Sequence, residues 1–195
     1  MWFLRRPDAS ALDALLADLA GRPFSYPEVG MSQGRVAVPA HYGREEHHVD
    51  LELELGAARD ALAAFATHRL PYMFVHPATA KVHEGLDVVV CARIGPLWTA
   101  NPCRIVSVVE SADRFEYAYG TLPGHSEHGE EMFAVERRPG GGVRAETIAY
   151  ARPQDVLAKL GRPIAHRVQR RIKVDYMSSL ARAAGPLGER AHRDG

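Results

Sequence analysis

The chain has 195 residues, and its 24 Lys and Arg are balanced by 24 Asp and Glu, giving a formal net charge of zero. Nothing global therefore draws it to nucleic acid or to an anionic membrane surface. A hydrophobic content of 46% with 25% charged residues is ordinary for a globular domain, and no stretch approaches the roughly 18 apolar residues of a membrane-spanning helix.

The charge is unevenly placed: from Arg152 onward there are ten Arg and Lys against four Asp and Glu. A basic helix face exposed to water accounts for such a run, and an anion-binding surface is the alternative. Cys91 and Cys103 lack metal-type spacing and lie in apolar, strand-like runs, where free buried thiols are common. Only Trp2, Phe3 and Leu4 follow Met1 before two arginines, too short an apolar run for a signal peptide. The expectation is a cytoplasmic protein with reduced thiols. Residues 1–185 are expected to form a single α+β domain and 186–195 a flexible tail.

In chain order, Leu12, Leu15, Leu16 and Leu19 fall at i, i+3, i+4 and i+7, which predicts a helix over Ser10–Ala20 stopped by Gly21 and Pro23. A loop rich in Pro and Gly follows. Val49, Leu51, Leu53 and Leu55 then alternate with Asp50, Glu52 and Glu54, predicting a strand with one apolar and one acidic face. Successive carboxylates on such a face stand about 7 Å apart, too far to share one cation closely, so arginines on adjacent strands are the expected partners. A short helix over Ala57–His68 comes next. Beyond Pro71 six apolar runs read as strands, with ESADR and RPGGG as hairpin links, for about seven strands in all. From Pro153, a good first helical residue, the period turns helical. Ile164, Val168, Ile172, Tyr176 and Leu180 give an inner face every four residues, with Arg167, Arg170, Arg171 and Lys173 on the other faces.

This order, ending in one long helix, resembles the helix-grip arrangement of the START-like superfamily, which includes pollen allergens, polyketide cyclases and lipid-transfer domains. There a curved antiparallel sheet wraps a long C-terminal helix and encloses a cavity. The alternative is a hotdog-like fold, whose long helix comes early.

The stretch NPCRIVSVVESADRFEYAYGTLPGHSEHGEEMFAVE, Asn101 to Glu136, carries a more specific likeness. Tyr119 to His125, Gly129 to Glu131 and Phe133 are similar to the signature of the bacterial and plant domain-of-unknown-function family number nineteen-ninety. Tyr26, Val29 and Gly30, Leu55-Gly56, Arg152-Pro153 and Gln169 also match its pattern. Ala58, where a second glycine is usual, and His68, where a tryptophan is usual, depart from it. The resemblance implies kinship and a fold, and brings no activity, cofactor or metal with it.

The candidate site therefore rests on the residues themselves. Phe115, Tyr117 and Tyr119 share a strand face, where rings can line a cavity and phenols can orient a ligand's polar group. Gly120, Pro123 and Gly124 punctuate a loop that presents His125, His128, Glu130 and Glu131. That cluster could bind zinc, act as an acid–base pair, or only tie down its own loop. Alternation sends Glu130 and Glu131 to opposite faces, so at most one enters the cavity. The P-loop, nucleophile elbow and dinucleotide fingerprint are missing, which weighs against nucleotide-driven enzymes, common hydrolases and Rossmann redox enzymes.

The expected function is binding of a small hydrophobic or amphipathic molecule by Tyr117, Tyr119, Gly120, Phe133, Arg104 and Gln169, without metal or cofactor. An enzyme performing proton transfer, dehydration or cyclisation with His125 and Glu130 or Glu131 is the second reading. A protein-interaction or anion-binding role for the basic final helix is the third.

Overall fold

Each apolar run after Pro71 finds a strand partner next to it in sequence, which is what hairpin links demand. The computed structural model describes residues 1–153 and 162–185, with side chains of the last helix described from residue 172. The strands are β1 (Trp2–Phe3), β2 (Gly43–Leu51), β3 (Met73–His76), β4 (Asp87–Ile94), β5 (Leu97–Glu110), β6 (Arg114–Thr121), β7 (Glu127–Arg137) and β8 (Val143–Pro153). They form one antiparallel sheet in the order β2-β8-β7-β6-β5-β4-β3, with β1 pairing β5 off this path. The helices are α1 (Ala9–Leu19), α2 (Leu55–Ala63) and α3 (Arg162–Ala184). The longest helix comes last, and the arrangement is helix-grip rather than hotdog.

The curved sheet has two clad faces. On the concave side, α2, a single 3-10 turn at Ala66–His68 and α3 pack over β4 to β8. Tyr176 and Leu180 of the expected inner stripe are buried there, and Ile172 packs beside them; Ile164 and Val168 lie outside the described side chains. Tyr117 and Phe133 are fully buried and stacked, with ring centroids 5.3 Å apart. The space expected to be hollow between the sheet and residues 172–184 is filled by such side chains. On the convex side, Leu12, Leu15 and Leu16 of α1 pack against Val89, Cys91 and Ala100. Asp8 caps α1 by accepting from the Ala11 N–H at 2.9 Å.

Several boundaries differ from expectation, among them the second helix, which runs Leu55–Ala63 and is followed by a separate turn at Ala66–His68 rather than continuing to His68. The first strand runs Gly43–Leu51, not through Leu55; Leu53 and Leu55 are buried but belong to the entry of α2, with Glu54 at its N-cap. The period-two pattern thus outlives the strand. The acidic face does meet arginines: Asp50 is opposite Arg144 on β8 and accepts from its Nε at 2.9 Å, while Glu52 pairs with Arg138. At the next boundary, β5 begins at Leu97 and runs through Pro102. The Pro102 carbonyl accepts from Leu122, and the N of a strand residue points the same way as its carbonyl. Its missing N–H therefore lies on the side away from β4 and costs that ladder nothing. Last, Pro153 ends β8 opposite Glu127 instead of starting a helix.

Candidate functional site

The register lays the concave side chains out in rows. Glu45 on β2 lies opposite Ala149 on β8, Ala149 opposite Glu131 on β7, and Glu131 opposite Tyr119 on β6. One step into the core, the row is His47, Thr147, Phe133 and Tyr117. One step the other way it is Gly43, Ala151 and Gly129, with Glu127 beyond. The apolar core therefore gives way, at this end of the sheet, to a floor of alanines and glycines flanked by carboxylates.

A directed chain of hydrogen bonds leads out of the core to Glu131. Tyr119 donates to Glu131 Oε2 at 2.6 Å, and Thr147 donates to Oε1 at 3.1 Å. Having given its only proton, the Tyr119 oxygen can only accept from His68 Nε2, 3.4 Å away. His68 is thereby the Nε2–H tautomer, and its Nδ1 accepts from the Thr67 hydroxyl at 2.9 Å. Burial among Phe65, Tyr119, Phe133 and Tyr176 pushes His68 down to about 3, so the ring is neutral. Burial, followed by the charge of Glu131, holds Tyr119 and Tyr176 as phenols.

Lys173 reaches this row from α3. Its side chain, expected on a solvated face, is only 6% exposed, because 173, 176, 177 and 180 share one helix stripe facing the sheet. The ammonium stands 3.5 Å from Glu45 Oε2 and 4.0 Å from Glu131 Oε1, and it makes no hydrogen bond among the described residues. Burial raises Glu127, and the charges of Glu131 and Glu45 add to it, while Lys173 opposes them. His47 is lowered by burial and by Lys173. Among the described residues no three His, Cys, Asp or Glu side chains converge on a metal position.

Glu130, one residue from Glu131, faces the convex side and is 3% exposed. It accepts four hydrogen bonds: from Tyr26 Oη at 2.6 Å, Gly30 N at 2.5 Å, and Ser32 N and Oγ at 2.9 and 2.7 Å. Of the signature glycines, Gly120 serves this clamp, while Gly129 allows close approach of the β8 backbone. A Cβ on Gly120 would stand 2.1 Å from Tyr26 Oη, and one on Gly129 would stand 1.9 Å from the Tyr150 carbonyl oxygen. Much of the motif thus pins the N-terminal loop to the outside of the sheet.

The other expected residues divide in the same way. Arg104 is on the convex side, holding Asp87 at 2.6 and 2.9 Å and the Arg22 carbonyl at 2.7 Å, where it anchors the end of α1. His125 accepts at Nδ1 from the Glu127 N–H, 2.9 Å away, and closes its own loop; burial lowers it to about 3. His128 lies beside Arg152 on β8 and is lowered by burial and by that charge. Tyr117, Phe133 and Phe115 are core residues on the concave side, behind the polar row. Gln169 lies outside the described side chains, as do Arg167, Arg170 and Arg171. Of the expected residues, then, the structure brings together Glu131 and Tyr119, and it adds Lys173, Glu127, Glu45, Thr147 and His68. The four-residue stripe through Lys173 and the alternation continued back from Val49 through His47 to Glu45 were the available signals.

A dent of about 190 Å³ opens at the far end of the sheet, beside Arg59, Arg114 and Arg137. Each of these arginines is already paired: Arg59 with Asp60 and Glu110, Arg114 with Glu116 and Glu136, and Arg137 with Asp113.

With the geometry in hand, known proteins can be compared. The model of the family described as Domain of unknown function (DUF1990) matches residues 25–179. The chain belongs to this family. A UPF0548 protein of Deinococcus radiodurans is 31% identical over 95% of this chain and 100% of its own length. Another from Dictyostelium discoideum is 35% identical over 95% and 96%. Among solved structures, hypothetical protein jhp0584 of Helicobacter pylori superposes with a TM-score of 0.56 at 11% identity, over 84% of this chain and 97% of that one. The di-domain ARO/CYC BexL of the BE-7585A biosynthetic pathway gives 0.54 at 16% identity, over 75% of this chain and 51% of that one. At such identities these likenesses establish the fold alone.

Proposed function

We propose that this member of the family binds a small amphipathic molecule at the polar end of the concave face, its apolar part against the aromatic core and its polar part at Lys173 and Glu131. The observation that carries this reading is the ammonium of Lys173, buried beside Glu45 and Glu131 with no hydrogen bond among the described residues. Burying an ammonium without hydrogen bonds is costly, and a ligand oxygen is the natural way to offset that cost. A cytoplasmic setting goes with the free, buried Cys91 and Cys103; no described helix is long and apolar enough to cross a membrane. The test is native mass spectrometry of protein purified from the organism that makes it. A bound mass released by organic solvent is expected, and a bare chain from several growth conditions contradicts the proposal.

One observation favours a second reading, a metal-independent enzyme in the same place. All donors from Thr67 to Tyr119 point toward Glu131, leaving that carboxylate as terminal acceptor next to a cation. Such a pair can take a proton and steady the charge left behind. In this reading the base is Glu131 rather than His125, whose Nδ1 is occupied by its own loop. Exchange of substrate protons for deuterium, lost in Glu131→Gln, is its signature.

A further inference from the structure

The chemistry around Lys173 narrows the class of molecule, an inference that rests on the binding reading above. The ammonium has protons to give and no acceptor within hydrogen-bond geometry among the described residues. Its surroundings are acidic: Glu45 and Glu131 stand within 4.0 Å of it, and Glu127 feels the charges of Glu131, Glu45 and Lys173.

We infer that the site recognises a neutral hydroxy-carbonyl compound, whose carbonyl oxygen accepts from Lys173 Nζ and whose hydroxyl donates to Glu131. The other head groups are disfavoured by the same residues. A carboxylate or phosphate would place a further negative charge beside Glu45 and Glu131, and an ammonium group would bring only donors where Lys173 needs an acceptor. A neutral carbonyl satisfies the lysine without either penalty. Each Glu131 oxygen takes one hydrogen bond, from Tyr119 or from Thr147, and keeps a lone pair for a ligand hydroxyl.

Three probes sharing one ring and differing only in head group test this directly: 4'-hydroxyacetophenone, 4-hydroxybenzoate and tyramine, titrated by protein-observed NMR. The expected result is that the acetyl probe binds about tenfold tighter than either charged one. With 13C at its carbonyl, that probe's resonance should move downfield on binding. Lys173→Met should remove about tenfold in affinity while Lys173→Arg, which keeps a donor, retains most of it. Preference for the benzoate or tyramine, equal binding of all three, no binding of the acetyl probe, or full affinity in Lys173→Met overturns the inference. Should Lys173→Met fail to fold, the carbonyl shift in the unaltered protein decides, and an unmoved resonance overturns it. The binding proposal fails separately, through a bare chain in native mass spectrometry. Head-group indifference with a ligand still co-purifying sinks only the present inference.

Discussion

Glu130 and Glu131 are adjacent in one strand and in one sequence motif, yet they live in different chemical worlds. On the convex side, Glu130 is saturated by four donors from the N-terminal loop, which leaves it no capacity for a ligand. Glu131, on the concave side, shares its neighbourhood with a lysine that makes no hydrogen bond among the described residues. A buried carboxylate with four donors is architecture, and a buried ammonium without a close acceptor among the described residues is suited to chemistry. The density of a motif in glycine and charge therefore does not locate a site; satisfaction of its hydrogen bonds does.

The comparison can be broken most sharply at Glu130. Glu130→Ala leaves the Tyr26 hydroxyl, two backbone N–H groups and Ser32 without their acceptor, so a loss of about 4 kcal/mol is expected in urea unfolding. A cost below about 1 kcal/mol would mean that the N-terminal loop is not held by this clamp. Next in size is the acid response of the concave chain. His68 is held at about 3 against the 6.5 of a solvated imidazole, so the unfolded chain binds a proton that the native one does not. Its contribution is whole above pH 6.5 and is lost as pH falls toward 3; about 2 kcal/mol should go between pH 6.5 and 4.5. His68→Phe should flatten that fall, and an NMR titration showing His68 protonated at pH 6 would contradict it. Gly120→Ala, whose Cβ collides with Tyr26, should cost about 2 kcal/mol in the same unfolding assay. Smallest is Glu131→Gln, at about 1 kcal/mol or less in stability, because the amide oxygen keeps one acceptor. Its effect belongs instead to ligand affinity. If Glu131→Gln destabilised as much as Glu130→Ala, the division between the two faces would collapse.

How far the sequence reveals this depends on what each pattern encodes. Leu12 to Leu19, the strand runs and the Tyr176–Leu180 stripe announce themselves because burial imposes a period. The end of β2 did not, since Leu53 and Leu55 are buried for a different reason from Leu51. Pro102 masked the start of β5, because a proline is tolerated only where its missing N–H faces away from a neighbouring strand, a fact of three dimensions. In the site, Tyr119 and Glu131 were legible from strand alternation on one motif. Lys173 was not, because a charged residue on an amphipathic helix is ordinarily solvated, and only the packing of α3 against Glu45 and Glu131 shows otherwise. Arg104 and Glu130 were drawn to the candidate site by proximity in sequence, while the sheet put them on its other side.

The account turns on Lys173 as the anchor of a bound molecule. A crystal structure of the protein purified from the organism that makes it addresses that most directly. The account predicts ligand density with an oxygen about 2.9 Å from Lys173 Nζ, over the Ala149–Ala151 floor. An Nζ bonded only to protein or water, with that floor bare of ligand, would contradict it.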